Sequence, residues 1–209
     1  MLHGGICFIT DRRFQKDTPL SDIVRMVLDA GIRWVQYREK ELPRREIYFT
    51  AEMLRKITDE YEATFIVNDH PDIALSVDAD GVHLGQDDLP LHYARRLMND
   101  KIVGISTHDL AQAIEAEKGG ADYIGFGPIY ATTTKENPDP PRGTALLREV
   151  SQRVNIPVVA IGGITLSTLP EVLSAGASSV AVASGILKSD QIPSMAGEFV
   201  RIVKEHFQS

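Results

Sequence analysis

The length, composition and charge of this chain narrow what it can be. Its 209 residues lie at the low end of the range for one (β/α)8 barrel, and 43% hydrophobic with 24% charged residues is typical of a globular protein. The 29 acidic residues outnumber the 22 basic ones, for a formal charge of −7. This balance argues against a broad nucleic-acid or anionic-membrane surface but allows a local basic pocket for phosphate.

The N-terminal segment and the single cysteine predict a cytoplasmic protein. The first apolar run, Ile6–Ile9, is too short for the core of a signal peptide. No run approaches the ~20 apolar residues of a membrane span. Cys7 lies inside the first run, so we expect a buried thiol and no intramolecular disulfide.

Short β-branched runs alternate with longer amphipathic stretches along the chain. We predict eight strands, at Ile6–Thr10, Trp34–Arg38, Thr64–Asn68, Gly81–Leu84, Ile102–Thr107, Tyr123–Phe126, Pro157–Ile161 and Ser179–Ala183. The stretches between them predict helices, among them Leu20–Ala30, Arg44–Tyr61, Leu110–Gly119, Leu166–Ala175 and Met195–Phe207. Eight strand–helix units without a change of composition predict an α/β fold, a (β/α)8 TIM barrel in which residues 1–209 form a single domain. A doubly wound open sheet is the alternative.

Polar residues at the carboxyl ends of the strands are the candidates for a functional site, because a barrel of this kind builds its active site there. Strand 2 runs into Gln36, Arg38 and Lys40, which the alternation of a strand places on one side. They predict an amide and two cations at the barrel mouth. A solvated charge run is the alternative interpretation.

Carboxylates follow two neighbouring strands, Asp69 after strand 3 and the pair Asp87/Asp88 after strand 4. Mg²⁺ takes one or two carboxylates together with substrate phosphate oxygens, so Asp69 and one of that pair are the candidate metal ligands. Asp69 would otherwise cap a helix that begins at Pro71. We expect His70 to be a loop residue, because imidazole is not a preferred ligand of Mg²⁺.

Hydroxyls and a lysine follow the next two strands. Ser106 and Thr107 end strand 5, where they would either bind phosphate or cap the helix near Leu110. The long irregular segment Gly127–Gly143 follows strand 6, and such loops are more often functional than idle. It carries a candidate phosphate clamp, Thr132-Thr133-Thr134-Lys135.

Strands 7 and 8 run into Gly162-Gly163 and Ser184-Gly185, whose backbone N–H groups predict another phosphate site. The sequence offers no convincing pair of nucleophile and base. Two phosphate zones, a carboxylate metal site and several cations suit the departure of diphosphate from one ligand while a second, phosphorylated ligand attacks.

Several short motifs run along the chain in a fixed order: Gln36-x-Arg38-x-Lys40, Asn68-Asp69, Gly81-Val82-His83-Leu84-Gly85-Gln86-Asp87-Asp88, Ser106-Thr107, Gly127-Pro128-Ile129-Tyr130, Thr132-x-Thr134-Lys135 and Ala160-Ile161-Gly162-Gly163-Ile164. Together they closely resemble the thiamine phosphate synthase family. The resemblance covers nearly the whole chain, from Ile9-Thr10-Asp11 to Ser184-Gly185-Ile186.

The resemblance implies a transferase that joins 4-amino-2-methyl-5-hydroxymethylpyrimidine diphosphate to 4-methyl-5-(2-phosphoethyl)thiazole, or its carboxylated form, by a dissociative route assisted by Mg²⁺. It implies Asp69 and Asp88 as the metal ligands, which resolves the choice between Asp87 and Asp88. The residues that it implies around the pyrimidine diphosphate are Gln36, Arg38, Lys40, Asn68, Ser106 and Lys135, with Arg38, Ser106 and Lys135 catalytic. Those that it implies around the thiazole phosphate are Thr132, Thr134, Gly163, Ala183 and Ser184.

Two rival functions remain at this point. The related thiazole tautomerase places a catalytic histidine where this chain has Pro128, and a non-catalytic barrel that binds phosphorylated ligands would need no metal pair. Many family members carry an acidic residue where this chain has His70. We expect phosphorylated small-molecule substrates, no nucleic acid and no membrane as partners, and the sequence leaves open whether the chain forms a homo-oligomer.

Overall fold

The computed structural model describes residues 4–15, 17–132 and 139–208. Strands and helices alternate along these ranges. The strands are Ile6–Ile9 (β1), Trp34–Tyr37 (β2), Thr64–Asn68 (β3), Gly81–Leu84 (β4), Ile102–Thr107 (β5), Tyr123–Phe126 (β6), Val158–Ile161 (β7) and Ser179–Val182 (β8). The helices are Leu20–Asp29 (α1), Arg44–Glu60 (α2), Pro71–Ser76 (α3), Leu91–Met98 (α4), Leu110–Lys118 (α5), Gly143–Arg153 (α6), Leu169–Ser174 (α7), Ser184–Leu187 (α8) and Ile192–Gln208 (α9).

The strands follow chain order around a closed, parallel barrel. β1 pairs with β2 on one side and with β8 on the other, so that Cys7 lies opposite both Trp34 and Ala181. Because the first and last strands are hydrogen-bonded, the sheet has no open edge. The predicted (β/α)8 TIM barrel is confirmed, and the alternative of an open doubly wound sheet is wrong.

Alternation along each strand separates an inner core from an outer one. On β2, Val35 and Tyr37 belong to the outer core that the helices cover, whereas Trp34 belongs to the inner core. Inside the barrel, Trp34 and Tyr123 meet edge to face with ring centroids 5.0 Å apart. The barrel interior below the strand ends is therefore filled with side chains rather than open.

Cys7 lies in this inner core, fully buried as predicted. Burial raises the pKa of its thiol far above the ordinary value, because a thiolate would lose its hydration there. The thiol therefore acts as a small apolar side chain.

The helix bounds differ from the prediction mainly at the N-termini. α7 begins at Leu169 rather than Leu166, because Thr168 Oγ1 accepts the N–H of Thr165 at 2.9 Å and forms a turn there. α6 begins at Gly143, where the predicted irregular segment was expected to end. Across the described ranges, no helix is long and apolar enough to span a bilayer.

Candidate active site

Two adjoining cavities open at the carboxyl ends of the strands, the face on which the sequence predicted the site. The first, which we call the carboxylate cavity, contains Asp69 and Asp88. The second, the glycine cavity, is lined by Gly162 and Gly163. Both cavities are lined by Arg38, Ser106, His108 and Asp139, so they form one continuous mouth.

The carboxylate cavity brings together most of the residues predicted around a diphosphate. Arg38 and Lys40 line it just beyond the end of β2, with Asn68 and Asp69 at the end of β3 and Asp88 in the loop after β4. Neighbouring parallel strands end at the same rim, so side chains that are distant in sequence meet there. This placement favours a ligand-binding role for Arg38 and Lys40 over a solvated charge run.

Gln36 lies deeper than these residues. Its side chain is buried in the barrel, near enough to the Tyr123 phenol to oppose the rise in its pKa that burial causes. The predicted alternation is right, because Gln36 and Arg38 point to the same side of the strand. Gln36, however, sits one layer lower, beneath the floor of the mouth.

Asp69 has a strained backbone and a crowded carboxylate. Its φ of 64° is in the left-handed region, and its N–H donates to the His83 carbonyl at 2.9 Å. Its side chain forms an ion pair with Lys40 and contacts the carboxyl of Asp88, whose Oδ2 accepts the Gly85 N–H at 2.7 Å. Burial raises the pKa of Asp69, the Lys40 ammonium opposes this rise, and the Asp88 carboxyl adds to it.

This pair of carboxylates fits the predicted Mg²⁺ site. The Asp88 carboxyl contributes to the raised pKa of Asp69, and a divalent cation would relieve the repulsion between the two carboxylates. Within the described ranges, histidine, cysteine, aspartate and glutamate form no cluster of three or more that could hold a metal. Two carboxylates suit Mg²⁺, which keeps waters and takes substrate phosphate oxygens as its remaining ligands.

The alternative that Asp69 caps a helix is wrong. His70, not Asp69, directly precedes α3, and that helix has no side-chain cap. His70 is a loop residue, as predicted, and its Nδ1 accepts from the Arg44 guanidinium at 3.4 Å. Burial lowers the pKa of His70, and the cation of Arg44 lowers it further.

The two hydroxyls at the end of β5 have different environments. Neither caps α5, because Asp109 does so by accepting the Gln112 N–H at 2.8 Å. Ser106 lines both cavities, as the phosphate-binding alternative predicted. Thr107 is buried outside the mouth and donates to the Gly125 carbonyl at 3.3 Å, so only Ser106 remains a candidate for ligand contact.

Asp11, a buried carboxylate that the sequence analysis did not single out, holds Arg38. Its side chain is 3% exposed and accepts Nε and Nη2 of Arg13 at 3.0 and 2.7 Å. Its Oδ2 also lies 3.7 Å from Nη1 of Arg38, whose backbone N–H donates to Thr10 Oγ1 at 2.9 Å. An acidic residue directly after an apolar strand was the available signal, because carboxylates are seldom buried without a partner.

His108 was also missed, although it directly follows Ser106-Thr107. Its Nδ1–H donates to the Gly127 carbonyl at 2.6 Å, and its Nε2 faces Asp139 at 3.6 Å. Asp139 in turn lies 3.4 Å from the Arg142 guanidinium. His108 therefore links the end of β5 to the start and the end of the segment between β6 and α6.

The glycine cavity contains the predicted thiazole-phosphate residues that the structure describes. Thr132, Gly163, Ala183 and Ser184 all line it. Ala183 and Ser184 open α8, and the first N–H groups of a helix lack partners within the helix. Such N–H groups can donate hydrogen bonds to an anion. Thr133, Thr134 and Lys135 lie outside the described residues.

Gly163 allows a close approach of two segments as well as lining the cavity. It has φ 67°, and a Cβ there would lie 2.6 Å from the Ala131 carbonyl oxygen and 2.8 Å from Tyr130 Cβ. Only glycine leaves room for the segment after β6 to pack against the end of β7. The sequence predicted backbone approach to a ligand but not this contact within the chain.

The backbone of the segment after β6 is fastened at both ends. At its start, the Ile129 N–H donates to the carbonyl of Ile161, the last residue of β7, at 2.8 Å. The Tyr130 N–H donates to the carbonyl of the next residue, Gly162, at 3.0 Å. At its far end, the Arg142 N–H donates back to the Pro128 carbonyl at 2.7 Å. The intervening residues therefore begin and end at the same point of the barrel rim.

Glu171 of α7 ties the same two ends together through side chains. Its carboxylate accepts the Tyr130 hydroxyl at 3.1 Å and the Thr144 hydroxyl at 2.7 Å. These two hydrogen bonds lower the pKa of Glu171, the one from Thr144 more strongly. The carboxylate is therefore the common anchor of the residues that flank the segment.

Comparisons with known proteins identify the family. The family model described as thiamine monophosphate synthase matches residues 6–186. A thiamine-phosphate synthase from Pelotomaculum thermopropionicum is 47% identical over 193 residues, which cover 92% of this chain and 88% of that protein. One from Halalkalibacterium halodurans is 43% identical over 198 residues, 94% of each chain.

A solved structure supports the same conclusion in three dimensions. The thiamine phosphate pyrophosphorylase from Pyrococcus furiosus matches with a TM-score of 0.90 and 39% identity over 98% of both chains. The match includes the strand ends that build both cavities, because it leaves almost none of the barrel out. The chain belongs to the thiamine monophosphate synthase family and is a transferase.

Proposed function

We propose that this chain makes thiamine phosphate by joining 4-amino-2-methyl-5-hydroxymethylpyrimidine diphosphate to 4-methyl-5-(2-phosphoethyl)thiazole or its carboxylated form. Pyrophosphate is released with either thiazole, and the carboxylated form also loses its carboxyl group as carbon dioxide. The observation that carries the proposal is the pair of adjoining cavities that share Arg38 and Ser106. Two phosphorylated ligands held side by side react as if in one molecule, which removes most of the entropic barrier to their encounter.

The pyrimidine diphosphate is assigned to the carboxylate cavity. Arg38 and Lys40 supply donors for phosphate oxygens, and Asn68 and Ser106 supply neutral hydrogen-bonding groups. Gln36, which is buried below these residues, is proposed to contribute its amide to ligand binding. Asp11 keeps Arg38 at the shared rim of the two cavities, where it would reach the ligand on either side.

Asp69 and Asp88 would hold Mg²⁺ beside the diphosphate. Carboxylate and phosphate oxygens are both ligands that this cation prefers. When bound, the cation offsets negative charge on the departing phosphate oxygens. The ammonium of Lys40, which pairs with Asp69, adds a second positive charge at the same place.

The thiazole phosphate is assigned to the glycine cavity. The backbone around Gly163 and the first turn of α8, at Ala183 and Ser184, offer N–H groups for its phosphate. Thr132, which also lines this cavity, adds a hydroxyl. Thr134, which follows it closely in the chain, is proposed to contribute another.

The chemistry requires no nucleophilic side chain. The bond between the pyrimidine methylene carbon and the diphosphate oxygen breaks, and both electrons leave with the oxygen. The lone pair of the thiazole nitrogen then forms the new carbon–nitrogen bond. Arg38 and, as we propose, Lys135 stabilise the charge that grows on the leaving diphosphate. If the contact of Lys135 strengthens as the bond breaks, Lys135→Ala will lower kcat more than it raises KM.

Product analysis of two parallel reactions tests the proposal against the thiazole tautomerase. Pro128 lines the glycine cavity and has no side-chain group that transfers a proton. We expect thiamine phosphate from the two substrates together and little isomerisation of a carboxythiazole tautomer supplied alone. Rapid isomerisation without a coupling product would refute the proposal.

The metal assignment has a matched pair of variants. Asp88→Asn should lose most turnover and its response to added Mg²⁺, because Asp88 contacts the Asp69 carboxyl. Asp100→Asn makes the same chemical change at an exposed residue that lines neither cavity and should retain activity. Full activity of the wild-type protein in excess chelator, or equal losses in both variants, would contradict the assignment.

A further inference from the structure

A line of polar side chains runs through the barrel interior beneath the mouth. His83 on β4 stands at its centre, with Nδ1 2.9 Å from the Tyr123 hydroxyl and Nε2 2.9 Å from Ser106 Oγ. The buried Gln36 amide is near enough to the Tyr123 phenol to oppose the rise in its pKa that burial causes. The line therefore joins a buried amide on β2 to the serine that both cavities share.

Two glycines make room for this line. A Cβ on Gly125 would lie 3.1 Å from Cε1 of the His83 ring, and a Cβ on Gly104 would overlap the Tyr123 ring. Both glycines lie in strand interiors, where glycine weakens a strand and usually marks a close approach. The absence of a side chain at Gly125 therefore leaves room for His83, and the absence of one at Gly104 leaves room for Tyr123.

Two orders of hydrogen bonding satisfy these distances, because a neutral histidine donates through one nitrogen and accepts through the other. In the first order, the Gln36 amide donates to Tyr123, the phenol donates to Nδ1, and Nε2–H donates to Ser106 Oγ. In the second order, every bond is reversed and the serine proton is bound by Nε2. The two orders leave Ser106 with opposite properties at the mouth.

The surroundings of Ser106 favour the first order. Arg38 and Lys40 line the same cavity and attract an anionic ligand, whose oxygens only accept hydrogen bonds. A serine whose proton is bound by His83 has nothing to donate to such a ligand. At the other end of the line, burial raises the pKa of Tyr123 well above its ordinary value, so the residue is a neutral phenol with a proton to donate.

We propose that His83 is a positioning residue that makes Ser106 a hydrogen-bond donor to the ligand. Its Nε2–H donates to Ser106 Oγ, and the serine hydroxyl proton is then directed at an acceptor atom of the ligand. Tyr123 and Gln36 hold the imidazole in this tautomer. The identity of the ligand rests on the proposed function, whereas the tautomer is a property of the free protein.

The tautomer is tested first, by nitrogen NMR of the histidine-labelled protein without substrates. His83→Gln assigns the signal by its loss, and Tyr123→Phe provides a second assignment because only the contacting ring should respond. We expect neutral His83 with its proton on Nε2. A neutral ring with its proton on Nδ1 would overturn the proposal, whatever reaction the protein catalyses.

A double-mutant cycle then tests whether His83 acts through Ser106. Loss of one hydrogen bond in the line should lower kcat/KM about fivefold in Tyr123→Phe, and this factor should vanish in a Ser106→Ala background. His83→Gln keeps an N–H donor near the place of Nε2 and should retain more activity than His83→Leu. Tyr37→Phe removes a buried phenol of the outer core and should leave kcat/KM unchanged.

If Tyr123→Phe lowers kcat/KM by the same factor in the wild-type protein and in Ser106→Ala, the positioning role of His83 is overturned. Melting temperatures of all variants separate loss of folding from loss of rate, and single-turnover measurements keep slow variants within range. If the wild-type protein couples no substrates at all, the proposed function fails. The NMR result would still decide the tautomer in that case.

Discussion

The buried carboxylate of Asp11 contacts both Arg13 and Arg38 at the mouth. The substitution Asp11→Asn tests whether this carboxylate organises the mouth. Asparagine keeps the shape and the oxygen that accepts the Arg13 backbone N–H. It removes the negative charge and turns the second oxygen into an amide group. That group would then face the guanidinium donors of Arg13 and Arg38, which both point at Oδ2 in the wild-type protein.

The magnitude follows from two charged contacts of unequal quality. The 2.7 Å hydrogen bond from Arg13 is charge-assisted and contributes about 1.5–3 kcal/mol. The 3.7 Å contact with Arg38 contributes less. We expect a loss of about 2–3 kcal/mol of unfolding free energy, which is on the order of 4–12 °C in Tm for a chain of this size. A displaced Arg38 should also raise KM for the pyrimidine diphosphate about tenfold.

The assay is thermal unfolding followed by steady-state kinetics, with Asp78→Asn as the matched control. Asp78 makes the same kind of ion pair, with Lys101, but its side chain is 90% exposed. Exposed pairs contribute about 0–1 kcal/mol, so this variant should melt within about 4 °C of the wild type. If Asp11→Asn matches the control in both Tm and KM, the carboxylate does not organise the mouth.

Three further predictions use other parts of the site. Gly163→Ala should lower Tm and kcat together, because its Cβ would collide with the Ala131 carbonyl; an unchanged Tm would contradict the packing. Glu171→Gln should weaken binding of the thiazole phosphate and leave KM for the pyrimidine unaffected, and equal changes in both KM values would refute its role as a local anchor. Cys7 should resist an aromatic disulfide reagent in mildly alkaline buffer until the protein is unfolded, since burial raises the pKa of its thiol, and rapid reaction of the folded protein would disprove this.

The barrel was predictable because each strand is a short apolar run between helical patterns with their own period. Periodicity did not predict where α7 begins. The apolar spacing continues through Leu166, but Thr168 binds the backbone of Thr165 through its hydroxyl, and this competing hydrogen bond leaves no periodic trace. Closure of the sheet depends on the pairing of Cys7 with Ala181, a contact between the two ends of the barrel that no local pattern encodes.

The candidate site was predictable to the extent that alternation and strand order decide it. Arg38 and Asp69 come together because their strands are neighbours and end at the same rim. The alternation of strand β2 predicts that Gln36 lies on the same side as Arg38. It does not predict that Gln36 is buried deeper in the barrel than Arg38. The roles of Asp11 and His83 depend on partners from other strands, so their types alone did not single them out.

The fastening of the segment between β6 and α6 has a consequence for how this protein can change over evolutionary time. Backbone hydrogen bonds and the Glu171 carboxylate fix where the segment leaves the rim and where it returns. Insertions or deletions between residues 132 and 139 therefore do not shift the register of the barrel strands. The closure entropy of a connection grows slowly with its length, by about 0.6 kcal/mol for each doubling, so a change of length there costs the barrel little.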